Sequence, residues 1–115
     1  MPQSSINIEV TLDANRVPED IHWNASENSE SAPAKAKAMM LSFWDGTDRT
    51  ALRMDLWTKE MRVDEMADFY FQTMMTMADS FERATHQKEL VGEMKKFASA
   101  FYKKFQEQHI KENKI

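Results

Sequence analysis

Residues 34–57 read AKAKAMMLSFWDGTDRTALRMDLW, and the fold class turns on this stretch. Two runs rich in Met, Leu and aromatic residues flank Asp45-Gly46-Thr47-Asp48, a group of turn formers, so the segment is expected to be a β-hairpin. With Gly46 and Thr47 at the tip, Leu41 would face Leu52, Met39 would face Met54, and Trp44 would face Arg49. Side chains alternate across a strand. Met39, Leu41, Phe43, Leu52, Met54 and Leu56 therefore share one face, expected to be core. Ala36, Ala38, Met40, Trp44, Ala51, Arg53, Asp55 and Trp57 share the other, where two tryptophans and a methionine stand among small and charged residues.

Upstream, Ile6, Ile8, Val10 and Leu12 alternate with Asn7, Glu9 and Thr11, the period of a half-buried strand. Asp13-Ala14-Asn15-Arg16 reads as a turn with Asn15 at positive φ, and Ile21, Trp23 and Ala25 alternate again after Pro18, so a first hairpin is expected here. Ser26 to Pro33 is polar and rich in breakers, which predicts a mobile loop.

Downstream the period changes to that of helices. Val63, Met66, Ala67, Tyr70, Met74, Met77, Ala78 and Phe81 recur at helical spacing over about 63–84, with Asp64, Glu65 and Asp68 at the start, where the helix dipole favours acids. Phe69, Phe71 and Met75 widen that apolar arc. Over about 88–108, Leu90, Met94, Phe97, Ala98, Phe101 and Phe105 form a narrower stripe, with lysines opposite. The second helix should need one neighbour and the first should need two. The expectation is an α+β fold: a four-stranded antiparallel sheet of two hairpins, one face covered by two C-terminal amphipathic helices. At 115 residues it should be a single domain, with the sheet over about 5–58 and a flexible tail over about 109–115.

Composition excludes several chemistries. There is no cysteine, so no disulfide framework, thiolate metal site or cysteine nucleophile. His22, His86 and His109 show no ligand spacing, and surface or capping roles are expected for them. Only Gly46 and Gly92 occur, too few for a phosphate-cradling loop. Neither metal nor cofactor is expected. Residues 1–85 hold eight Lys/Arg against fifteen Asp/Glu, and residues 86–115 hold seven Lys against four Glu. Such a balance does not suit nucleic acid, which demands concentrated positive charge. No apolar run is long enough to cross a bilayer and the N-terminus has no export signal, so a cytoplasmic location without membrane insertion is expected. Asp55, Asp64, Glu65 and Asp68 form the densest carboxylate group, and a helix start explains them better than catalysis does.

Eight of the ten methionines lie between Met39 and Met77. Core filling accounts for Met39, Met54, Met66, Met74 and Met77. Met40, Trp44 and Trp57, with Phe69, Phe71 and Met75, are then too many large apolar groups to leave in water, and these six are the candidate surface for a partner protein or a second copy of the chain.

The segments KAKAMMLSFWD (35–45), TALRMDLWTKEMRVDEM (50–66) and FQTMMTMADSFERAT (71–85) resemble the gliding-motility-associated GldC family, with weaker similarity from Ile6 to about Phe105. The resemblance implies a cytoplasmic, non-enzymatic accessory protein of gliding motility, a system linked to type IX secretion, and it carries over no catalytic residue or cofactor. The alternative is a holding chaperone or adaptor for secreted clients, because four strands followed by two helices is also the element order of the export chaperone SecB. An enzyme or small-ligand protein using Asp55, Asp64 and Asp68 ranks last.

Overall fold

The computed structural model describes residues 2–25 and 33–113, which form two compact units, Met1–Met61 and Arg62–Ile115. Among the described residues, the regular elements of the first are all strands. β1 (Ile6–Leu12), β2 (Pro18–Ala25) and β3 (Ala34–Ala36) form an antiparallel sheet in that order. Val10 faces Ile21 and Ile21 faces Ala36, so Ile21, almost wholly buried, sits in the middle row. The β1–β2 turn is built by Asp13, whose Oδ1 accepts the N–H groups of Asn15 (2.8 Å) and Val17 (3.0 Å). The left-handed residue is Arg16, φ 63°, and not Asn15 as expected. Of the loop expected over Ser26–Pro33, all but Pro33 lies outside the described residues.

The expected single four-stranded sheet is not formed. The described strands make two sheets, three-stranded and two-stranded, because the run from Ala34 to Asp45 breaks at Lys37 into β3 and β4 (Ala38–Asp45). The Lys37 carbonyl accepts both the backbone N–H (2.8 Å) and the Oγ1 hydroxyl (3.0 Å) of Thr58, a buried residue. That double contact holds the carbonyl at the corner. β3 stays with β2, and β4 pairs with β5 (Thr50–Trp57).

The β4–β5 register also differs from expectation. Leu41 faces Met54, Met39 faces Leu56, and Trp44 faces Ala51, a slide of two residues. The cause lies at the turn. Asp45 Oδ1 accepts the N–H groups of Thr47 (2.9 Å) and Asp48 (3.3 Å), and Arg49 rather than glycine is left-handed, φ 53°, so the loop spans Gly46 to Arg49 instead of two residues. A slide of two preserves the alternation, so each residue keeps its expected face.

The second unit is a helix pair, α1 (Val63–Thr85) and α2 (Lys88–Asn113). The Glu65 carboxylate accepts the Arg62 N–H (3.2 Å) at the start of α1, with Asp64 also in the first turn. His86 caps the end in a left-handed conformation, donating its N–H to the Glu82 carbonyl (2.8 Å). The tail expected from residue 109 is helical to Asn113.

Ala67 and Ala78 on α1, and Val91 and Ala98 on α2, are buried. Small side chains let two helix backbones approach closely, and the contact follows them. Phe71 stacks on Tyr102 with ring centres 4.8 Å apart, the Tyr102 hydroxyl donates to Asp68, and Lys95 pairs with Asp79 at 2.8 Å. The contact line thus runs to one side of the expected apolar stripes. Val63, Tyr70, Met77 and Phe81 on α1, and Leu90, Phe97 and Phe101 on α2, are left exposed. Like α1, α2 has more apolar surface than one neighbour covers.

Candidate functional site

Met40, Trp44 and Trp57 lie on one face of the β4–β5 hairpin, as alternation requires. Trp44 stands across from Ala51, Met40 from Asp55, and Trp57 from Ala38. Each tryptophan therefore has a small neighbour, which leaves its ring open: Trp44 is 66% and Trp57 56% exposed, whereas Met40 is half-buried. Between them Arg53 pairs with Asp55 at 2.9 Å, both side chains in contact with water. The face combines two aromatic platforms, a thioether and a solvated ion pair, which suits a protein surface better than a small-molecule pocket.

The opposite face departs from expectation. Its pattern is that of a core face, yet Phe43 is 61%, Leu52 54% and Met54 53% exposed; only Met39, Leu41 and Leu56, toward the Lys37 end, are half-buried. The hairpin thus carries large apolar side chains in solvent on both faces. Periodicity assigns residues to faces; it does not say whether anything packs on them. Met77, also expected in the core, is exposed on α1.

The other three candidates belong to the helix unit and do not form one patch. Phe71 and Met75 are half-buried on the side of α1 toward α2, and Phe71 is taken up by its stack on Tyr102. Phe69, two residues from Phe71, is turned by about 200° around the helix axis and points away from that contact.

The carboxylates have partners of their own. Arg62 holds Asp64 through two contacts of 2.9 Å, and its guanidinium keeps the Asp64 carboxyl below the usual range. Asp68 accepts from Tyr102, and Asp55 from Arg53. A helix start and two side-chain contacts account for the group. Of the histidines, His22 faces Glu9 and Lys35 within the three-stranded sheet, His86 caps α1, and His109 stacks on Phe105 at 5.4 Å. Among the described residues no cluster of His, Asp and Glu has metal-binding geometry, and no helix is long and apolar enough to cross a membrane. An open cleft of about 270 Å³ lies beside the hairpin, lined by Arg16, Val17, Pro18, Asp55, Leu56 and Trp57.

A family model described as gliding motility-associated protein GldC-like matches residues 18–107, from the start of β2 through most of α2. The chain belongs to the GldC-like family. Its association with gliding motility follows from that membership, and the family's matched region contains the hairpin with Met40, Trp44 and Trp57. No curated protein and no solved structure matches this GldC-like chain.

Proposed function

We propose that this GldC-like protein is a non-catalytic accessory component of the gliding apparatus, acting in the cytoplasm by binding another motility or secretion protein through the Met40, Trp44 and Trp57 face. The carrying observation is that two tryptophans of one hairpin face stand more than half in water beside residues too small to shield them. Aromatic rings are the usual anchors of protein interfaces, each commonly worth about 2 kcal/mol or more. The cysteine-free composition suits a reducing compartment. Phe69 and Met75 are secondary candidates on the helix unit, and Phe71 is the weakest of the six.

The test is capture of native partners from extract of a gliding cell by immobilised protein. Trp44→Asp and Trp57→Asp should each weaken capture by at least about thirtyfold, on that 2 kcal/mol scale, with unchanged circular dichroism. Retention of the same partner by the double variant would refute the assignment. Exposure of Phe43, Leu52 and Met54 on the other face supports the second reading, a holding chaperone for extended clients. That reading requires the protein to delay aggregation of several unrelated unfolded substrates.

A further inference from the structure

The strand β5 is complementary to itself. Written from Ala51 to Trp57 it runs Ala-Leu-Arg-Met-Asp-Leu-Trp, and about its centre, Met54, leucine mirrors leucine and arginine mirrors aspartate. β5 also ends its sheet: among the described residues the order is β4–β5 alone. A two-stranded sheet is marginal in water by itself, and an outermost strand offers backbone groups for a further strand.

The geometry points to a homodimer in which β5 pairs antiparallel with β5 of a second copy, centred on Met54, giving a four-stranded sheet in the order β4–β5–β5–β4. A two-fold axis makes the contact isologous, so every pair occurs twice. Arg53 falls opposite Asp55 of the second copy, and Asp55 opposite its Arg53. Both side chains are exposed to solvent on one face, held to each other at 2.9 Å, and turning sideways brings each toward its counterpart. Ala51 falls opposite Trp57 of the second copy. Since Ala51 already faces Trp44, the row across the sheet becomes Trp44, Ala51, Trp57, Ala38, alternating large and small. On the other face the rows are Phe43, Leu52, Leu56, Met39 and Leu41, Met54, Met54, Leu41, apolar throughout. The exposed Leu52 and Met54 gain cross-strand neighbours there, Leu56 and Met54 of the second copy.

The two nearest registers that keep the faces matched fail on charge. Moving the centre to Arg53 sets arginine against arginine, and moving it to Asp55 sets aspartate against aspartate; like charges directly opposite are unfavourable. A shift by one residue would continue the apolar face of one copy into the mixed face of the other. Asp55 and Trp57 are exposed, beside a cleft that they and the half-buried Leu56 share with Arg16 to Pro18.

Sedimentation equilibrium on the full chain tests the pairing. The native protein should show twice the 13.5 kDa chain mass. Arg53→Asp and Asp55→Arg should each sediment at the single-chain mass with unchanged circular dichroism, since each sets like charges against each other. An equimolar mixture of the two variants should return to the doubled mass, because one strand then presents two carboxylates and the other two guanidinium groups at the facing positions. Rescue by mixing cannot come from a contact within one chain. A monomeric native protein, dimeric single variants, or a mixture that stays monomeric would each overturn the proposal. The readout is mass, so any of these results leaves the reading of the Trp44 and Trp57 face standing.

Discussion

Tyr102 is held by two contacts of different kinds, a stack on Phe71 and a hydrogen bond from its hydroxyl to Asp68. Losing the proton would set a phenolate against that carboxylate. The hydrogen bond donated to Asp68, partial burial and the negative charges of Asp68 and Asp64 therefore raise the phenol above its ordinary value near 10. A folded-state value above the unfolded one means that the contact contributes fully below the unfolded value and is lost as the pH rises through the folded one. An ultraviolet titration of the folded protein should thus show a late-ionising tyrosine, and Tyr102→Phe should remove that component while keeping the helix content. If the late component survives the substitution, the hydrogen bond to Asp68 is not formed. Acid acts with the opposite sign on Asp13, lowered first by Lys59 and then by the Val17 N–H, and on Asp64, lowered by Arg62. Their contributions are present above the ordinary carboxylate range and fade as the pH falls through the depressed values.

Within the elements, the β4–β5 turn carries a cost in Arg49, a side-chain-bearing residue at φ 53°. A left-handed conformation costs such a residue about 1 kcal/mol relative to glycine, so Arg49→Gly should stabilise the hairpin by up to that amount, read as a higher urea midpoint. At the helix contact Ala98 is fully buried. Ala98→Leu should force the helices apart at a cost of about 1–3 kcal/mol, read as a lower midpoint. These positions also show what the sequence could and could not disclose. Alternation assigns every residue of the β4–β5 hairpin to its observed face, and it survives a wrong turn because the slide is by two residues. Asp45-Gly46 suggests a two-residue tip, but Asp45 commits its carboxylate to the backbone of Thr47 and Asp48, a choice that pattern does not encode. The break at Lys37 is invisible for a related reason. Ala34, Ala36 and Ala38 continue the alternation through the corner, and the residue that holds it, Thr58, lies twenty-one positions away. In the helices, large residues draw attention to the wrong line, whereas the alanines mark the contact. The candidate site is legible as far as alternation reaches, in Met40, Trp44 and Trp57, and not where it depends on a tertiary neighbour, as Phe71 does on Tyr102.

For the whole molecule, the distribution of tryptophan gives a separate handle on the proposed surface. All three tryptophans, Trp23, Trp44 and Trp57, belong to the strand unit, and all three are exposed, so emission reports on that unit alone. Far-ultraviolet circular dichroism is dominated by α1 and α2, and so reports mainly on the other. The native protein should emit like a solvated indole and be quenched readily by iodide, with little red shift on adding urea, while the helical signal is lost in the usual way. Trp44→Phe and Trp57→Phe should each remove a quenchable component. Pairing through β5 leaves Trp44 and Trp57 on the face of the widened sheet rather than between strands, so dimerisation should not shield them; a bound partner should, with a blue shift and reduced iodide access. Emission already blue-shifted in the isolated protein would mean that these rings are covered in solution, and the face would then not be free to receive a partner.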